Sequence, residues 1–597
     1  LYDFDQYFAT RRYLDLAIRP DGGEVAYVTD VTGSFNAWRE GASGGHAHQL
    51  TTFRDHAVRR VAYSPDGSRL LLAADRNGDE REQLYVMPAE GGTPRPLTAR
   101  EDARFVLGDD PWAPDGHTIA CACNAEDEAN FDLVTIDAET RATRRWSKDP
   151  HFHAACCWSA DGRFLCGRIE RASMHQDVVI VDRETGAVAE ATRDRAEARR
   201  RPVGFSADGS ALYLLTDEGR EFLGLARLDL ASGALEWVRA PDWDVDHACM
   251  SRDGRRIVYV VNEDAVHRLH VLDRNSGIER RVTRLPMGLC QAVAVAADGS
   301  RAAFLHDAAV RPPEVLVYDL GRGGMEQITH GMVGAIPPSD MVEPEITRFA
   351  SFDRKIPALL YRPRGEPPEA GFPALLHIHG GPEAQERPIY RPLFQYLVSR
   401  GFVVLAPNVR GSTGYGKSYQ RLIHRDFGGA DLRDFDAAAR FLKSLPYVDG
   451  RRLAVAGGSY GGFAALSCAT RLPDHWAAAV DICGTSNLVT FAKSVPASWQ
   501  RFLRGWVGDP EEERDELLRR SPITYVDGLK CPLLVIQGAR DPRVVKAESD
   551  QVVERVRAAG GSVDYLVFED EGHGLLKVEN QIRGFRAIAE FLERHLA

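Results

Sequence analysis

At 597 residues the chain is too long for one hydrophobic core, since single cores stop growing near roughly 250–300 residues; two or more domains are expected. Hydrophobic residues make up 44% and charged residues 27%, the balance of folded globular domains and not of a disordered or membrane chain. The net charge of −12, with no dense Lys/Arg run, argues against a phosphate-backbone partner, so no nucleic acid is expected.

The opening residues, Leu1-Tyr2-Asp3-Phe4-Asp5, have neither a basic n-region nor an apolar core. No stretch reaches the ~18 consecutive apolar residues of a spanning helix, so no membrane partner is expected. A cytoplasmic location is the expectation, although a chain without an initiator Met leaves room for a removed leader.

A repeat follows. Asp-Gly, usually after Pro or Ala, occurs at Asp21, Asp66, Asp115, Asp161, Asp208, Asp253 and Asp298, at spacings of 45, 49, 46, 47, 45 and 45 residues. Each copy sits between apolar runs, as in Val61-Ala62-Tyr63-Ser64-Pro65-Asp66-Gly67-Ser68-Arg69-Leu70-Leu71-Leu72, where Asp-Gly would supply the positive-φ residues of a tight hairpin. A second hairpin follows each time, for example Val178–Val188 through Asp182-Arg183-Glu184-Thr185-Gly186. Four strands per period of about 46 residues is the unit of a β-propeller blade, and seven copies predict seven blades. The acidic clusters Asp79-Glu80-Arg81-Glu82 and Glu126-Asp127-Glu128 read as solvated loops. Ten irregularly placed cysteines show no zinc-ligand spacing and read as buried free thiols; no metal and no cofactor are expected.

After Thr329-His330-Gly331 the period stops, and Ile336-Pro337-Pro338-Ser339 leads into a different pattern. Apolar runs at Ala374–Ile378, Phe402–Ala406, Leu453–Ala456, Ala478–Ile482, Leu533–Ile536 and Val563–Phe568 alternate with helix-like stretches, the signature of a mostly parallel sheet. The expected organisation is an N-terminal extension over 1–10, a seven-bladed propeller over 11–335 and an α/β-hydrolase domain over 336–597.

Chemistry concentrates in that last domain. Gly457-Gly458-Ser459-Tyr460-Gly461-Gly462 fits G-x-S-x-G between a strand and a helix, a strained turn that lifts a serine hydroxyl into a cleft and leaves no room for side chains two residues either side. Ser459 is therefore the candidate nucleophile. A hydroxyl needs a base to take its proton and an acid to orient that base. Asp541 follows the run Leu533–Ile536, and His573 follows Val563–Phe568 between two glycines; the order Ser, Asp, His is that of α/β-hydrolases. Asp570 and Glu571 compete for the acid's role and are read as loop-bracing groups. The Tyr460 N–H and the Gly381 N–H, from His377-Ile378-His379-Gly380-Gly381-Pro382, are the candidate oxyanion donors. His377 and His379 are read as scaffolding.

A propeller followed by such a hydrolase resembles the prolyl oligopeptidase family of serine peptidases. The motifs His379-Gly380-Gly381-Pro382, Pro407–Gly416, Gly458–Gly462 and Arg520-Ser521-Pro522-Ile523 look most like its acylaminoacyl-peptidase branch. The resemblance implies that the propeller covers the cleft and admits only peptides or small molecules, and that Leu1 to Phe8 pack on the hydrolase. It also implies a substrate-side arginine, for which Arg501 is the nearest candidate. Trp499, Phe502 and Trp506 could line an apolar pocket for the residue before the scissile bond.

Three readings follow: an acylaminoacyl-peptidase or oligopeptidase using an acyl-enzyme, an esterase or amidase on a small peptide-like metabolite, and a binding protein with an inactive hydrolase. A dipeptidyl-peptidase-like aminopeptidase is a further alternative, although the sequence offers no placeable glutamate pair. A homo-oligomer is compatible with all of them. For the enzyme readings, activity is expected to rise with pH through the ordinary histidine range near 6.5.

Overall fold

The computed structural model describes residues 2–596; Leu1 and Ala597 lie outside the described residues. Seven four-stranded antiparallel sheets run in sequence from Tyr13 to Gln327. The ring closes by side-chain packing: Tyr13, Leu16, Val25 and Tyr27 of the first blade share a core with Ala303, Leu305, Val315 and Val317 of the seventh. The Arg11 N–H donates to Gly331 O at 2.8 Å beside that seam.

Each Asp-Gly pair joins the first and second strands of its blade, but the two residues divide the work differently from expectation. Only the glycines take a positive φ, between 68° and 74° at all seven positions. The aspartates instead accept the backbone N–H two residues on, from Gly23, Ser68, His117, Arg163, Ser210, Arg255 and Ser300. These are Asx turns: the carboxylate holds the loop while glycine supplies the left-handed step.

In an antiparallel blade the loop joining strands one and two lies on the opposite face from the loop joining two and three. The second set reaches the other domain. Glu80, Asn130, Ser173, Glu221 and Asp264, from the second to the sixth blade, all stand in such loops and bond residues beyond 345, while Asp307 of the seventh blade accepts the Tyr390 N–H at 2.8 Å. The repeated turns thus mark the propeller face turned away from the hydrolase.

Beyond the propeller an eight-stranded sheet spans Glu345 to Phe568. Its strands, numbered within this sheet, are β1 Glu345–Ala350, β2 Lys355–Tyr361, β3 Phe372–Ile378, β4 Val403–Pro407, β5 Val448–Gly458, β6 Ala478–Ile482, β7 Leu533–Gly538 and β8 Val563–Phe568. The order is β1-β2-β4-β3-β5-β6-β7-β8. β1, β2 and β4 pair antiparallel, and every pairing from β4-β3 onward is parallel. β3 to β8 coincide with the six apolar runs; β1 lies at the sheet edge with a largely exposed, polar face that hides its pattern, whereas β2 is buried except at Lys355. Helices cover both faces: Ala430–Ser444 and Tyr460–Arg471 pack on one core, Pro392–Ser399 and Val578–Leu596 on the other.

The short helix Phe4–Phe8 belongs to this second core, not to the propeller. Phe4 and Phe8 stack at 4.5 Å, Phe4 meets the Tyr396 ring edge-on at 5.0 Å, and Phe8 lies 5.6 Å from Phe585. Tyr390 Oη donates to Tyr7 O at 2.9 Å, so the chain start is tied to the hydrolase by backbone as well as rings. Phe8→Ala is expected to lower the stability of the hydrolase domain by about 3–5 kcal/mol. Denaturant unfolding monitored in that domain checks this, and an unchanged midpoint would show that the helix is an ornament of the fold.

Candidate active site

The site assembles at the carboxyl ends of the parallel strands, where an open α/β sheet leaves its crevice. Ser459 directly follows β5 and caps the helix Tyr460–Arg471, with φ 59° and ψ −120°, a left-handed conformation that costs a non-glycine residue of order 1–3 kcal/mol. Its N–H donates to Ile482 O at 2.8 Å, anchoring the turn to β6. The neighbouring glycines are set by space: a Cβ on Gly457 would stand 2.4 Å from Gly461 O, and one on Gly461 would stand 2.1 Å from Ile378 O. Gly458 is under no such constraint, its nearest neighbour being Ile482 O at 3.7 Å.

Asp541 lies in the loop after β7, its side chain fully buried. Oδ1 accepts the N–H groups of Arg543 at 2.8 Å and Val544 at 2.9 Å, and Oδ2 accepts His573 Nδ1 at 2.7 Å. Two backbone donors thus fix the carboxylate that fixes the ring. The competing acids are engaged elsewhere. Glu571 accepts from Leu576 N, Lys577 N and Asn580 Nδ2, and Asp570 pairs with Lys577, so both brace the loop that carries His573. Burial opposes a charge on His573, but hydrogen bonds to Asp541 and Cys483 outweigh it and push the imidazole up to about 10.

Ser459, His573, Tyr460 and Gly381 face one cavity of about 320 Å³. Gly381 sits at φ 125°, and a Cβ there would meet Glu383 N at 2.9 Å. His379 holds the glycine loop from behind, with Nδ1 on Gly380 O at 2.7 Å and Nε2 on Ser412 Oγ at 2.9 Å. His377 is packed against the Phe394 ring at 4.8 Å, and burial drives it down to about 4, as befits a neutral structural group.

The rest of the cavity wall is aromatic and aliphatic: Phe427, Phe463, Leu488, Phe491, Trp499 and Trp506. Trp499 and Trp506 stand seven residues apart on the helix Ala497–Trp506, hence nearly in line at about 100° per residue. Two sequence-based expectations are corrected. Arg501 does not reach the cavity: its guanidinium donates to Pro150 O at 2.5 Å and Ala129 O at 2.8 Å and also bonds Asn130, tying this helix to the propeller. Phe502, displaced around the helix from the two tryptophans, is absent from the lining and lies 5.9 Å below the Arg501 guanidinium.

Sequence reasoning also missed polar members of the wall. Glu383, directly after the glycine loop, accepts from Gln420 Nε2 and His424 Nε2 at 2.8 Å each and from Ser173 Oγ of the propeller at 3.4 Å, all on Oε1. Arg543, two residues beyond Asp541, pairs with Glu80 at 2.9 Å. Glu80 is therefore not the solvated loop residue expected; its role was hidden because the partner lies 463 residues away.

Residues 389–597 match the model of the prolyl oligopeptidase family. Within this chain, those residues form a prolyl oligopeptidase family domain. The chain is a serine peptidase by the same comparisons. Dipeptidyl aminopeptidase BIII of Pseudoxanthomonas mexicana is 29% identical over 98% of this chain and 87% of its own length. The acylamino-acid-releasing enzyme of Mus musculus is 27% identical over 44% of this chain and 36% of its own. A crystal structure of puromycin hydrolase superposes with a TM-score of 0.86 at 24% identity, covering 99% of this chain and 96% of the other, which shows the shared fold. No helix among the described residues is long and apolar enough to cross a membrane.

The turn geometry carries its own test. Gly461→Ala is expected to abolish activity or folding of the hydrolase, since a displacement near 1 Å at such a site costs about 100-fold in rate. Gly458→Ala should stay within roughly tenfold of the parent, its Cβ meeting only ordinary contacts. Equal tolerance of the two in a purified-enzyme assay would contradict the steric account.

Proposed function

We propose that this peptidase cleaves short peptides through an acyl-enzyme on Ser459, and that the residue before the scissile bond is large and apolar. The observation that carries the reading is the Ser459–His573–Asp541 constellation opening onto a pocket walled by Phe427, Phe463, Trp499 and Trp506. In this mechanism neutral His573 takes the Ser459 proton at Nε2 as Oγ attacks the carbonyl carbon. The fully buried Asp541 keeps the ring's other proton on Nδ1 and stabilises the imidazolium. The Tyr460 N–H, at a helix N-terminus, and the Gly381 N–H receive the developing oxyanion, each donor contributing about 3–4 kcal/mol. The imidazolium then protonates the leaving amine, and water repeats the sequence on the ester.

A propeller loop at Gly78 abuts the histidine loop: a Cβ on Gly572 would stand 2.7 Å from Gly78 O. With Glu80 and Ser173 also reaching cavity residues, the propeller forms part of the cleft's roof, which supports its role as a size filter.

One observation favours an aminopeptidase variant of this reading. Glu383 Oε2 carries none of the bonds that hold Oε1, so a carboxylate oxygen in the cavity wall is available to a substrate ammonium group. A panel of reporters separates the variants: acetylated amino acids, free-amino-terminus dipeptides and short-chain esters, each with large or small apolar side chains, together with puromycin. Large over small side chains should be preferred by at least about tenfold in kcat/KM. Ser459→Ala should lower turnover by on the order of 10⁴-fold or more with an unchanged circular dichroism spectrum. Activity confined to esters would overturn the peptidase mechanism for this site, and full activity in Ser459→Ala would overturn the nucleophile.

The pH profile follows from the base. His573 must be neutral to accept a proton, so kcat/KM rises with pH through its pKa. The bonds to Asp541 and Cys483 lift that pKa, so the inflection is expected on the alkaline side of the ordinary value near 6.5 and toward 10. A rate already flat above pH 6 would contradict this environment for the ring.

A further inference from the structure

Cys483 immediately follows β6, with φ 43° and its N–H donated to Ile536 O of β7 at 2.8 Å, so its position beside the site is fixed by the sheet itself. Its sulfur takes no part in the proton transfers proposed above. Yet one ligand atom each from Cys483, Asp541 and His573 lie within 4.8 Å of one another. Thiolate, carboxylate and imidazole are the three ligand classes of protein zinc sites, and three protein ligands with an open fourth position are a common stoichiometry. Ligand atoms around a tetrahedral Zn²⁺ stand roughly 3.4–3.6 Å apart. The His573–Asp541 contact of 2.7 Å would need to open by only about 0.7 Å to reach that spacing.

We propose that Cys483, Asp541 and His573 form a binding site for a thiophilic divalent cation, Zn²⁺ or Cd²⁺, which reversibly switches the peptidase off. Binding is written with its protons. Cys483 loses its S–H proton to solvent and coordinates as thiolate. If the ion takes Nδ1, the proton of the neutral ring resides on Nε2; if it takes Nε2, it occupies the base's own lone pair. Either way Nε2 has no electron pair for the Ser459 proton, and the ion also occupies the carboxylate that orients the ring. The hard ions Mg²⁺ and Ca²⁺, which prefer all-oxygen ligand sets, do not compete for this one. The inhibition rests on the peptidase reading above, whereas the binding does not.

Two measurements separate these parts. In the first, the active enzyme is titrated with Zn²⁺, Cd²⁺, Mg²⁺ and Ca²⁺, each rate taken relative to the same protein's metal-free rate. Zn²⁺ and Cd²⁺ should inhibit and EDTA should restore activity. Cys483→Ala, or Cys483→Ser should the alanine protein fail to fold, should need more than about tenfold more Zn²⁺, because even outer-shell changes at metal sites cost 10–100-fold. In the second, Ser459→Ala protein is titrated with Co²⁺ and its thiolate-to-cobalt absorption followed. One equivalent should produce the band, and adding Cys483→Ser should remove it. Unchanged Zn²⁺ sensitivity in the cysteine variants, or a cobalt band that survives them, would overturn the site. An enzyme inactive on every reporter would sink the peptidase reading and leave the cobalt titration to decide the binding.

Discussion

The structure turns on one backbone conformation, the left-handed turn at Ser459. A non-glycine residue stays in that region only where its surroundings over-determine it. Here the restraints are an N–H bond to β6, a helix beginning at the next residue, and two glycines with no space for a side chain. The strain is held by the sheet, and its product is a hydroxyl at the crevice where β3, β5, β7 and β8 end. Gly381, Asp541 and His573 arrive at the same crevice because each follows one of those strands.

Around that turn the molecule uses its two domains unequally. The hydrolase holds the proposed reacting groups, fixed by backbone donors to Asp541 and by acids that brace the His573 loop. The propeller contributes loops from one face only, so Glu80, Ser173 and the Gly78 loop come to the edge of the site while the Asp-Gly turns face away. Enclosure matters electrostatically as well as sterically, because excluding water strengthens the hydrogen bonds that act on the oxyanion. The ion pair of Arg543 with Glu80 joins the lid to the residue two positions beyond Asp541, so movement of the propeller would be felt close to the acid.

The sequence disclosed the parts whose constraints are local. Seven Asp-Gly turns at a near-constant period betrayed the propeller, and G-x-S-x-G betrayed the strained turn at Ser459 because sterics confine its glycines within five residues. The loop positions of Asp541 and His573 were legible from the strands before them. Of the pocket only Trp499 and Trp506 were legible, since Phe427, Phe463 and Leu488 come from separate segments and each looks like ordinary core alone. Arg501 was misplaced because a charged residue beside aromatics suggests a ligand, and only the fold shows the propeller carbonyls that hold it. Glu80 and Cys483 were hidden for a related reason: an acidic loop and an isolated thiol acquire meaning only when the chain brings Arg543 and His573 to them.

On the proposed mechanism the strained hydroxyl of Ser459 is the enzyme's activated nucleophile. The most direct measurement is peptide mapping by mass spectrometry after treatment with a fluorophosphonate that labels activated serines. One adduct per chain is expected, on Ser459, with activity lost in proportion to labelling. An adduct on another serine, or full loss of activity with Ser459 unmodified, would contradict it.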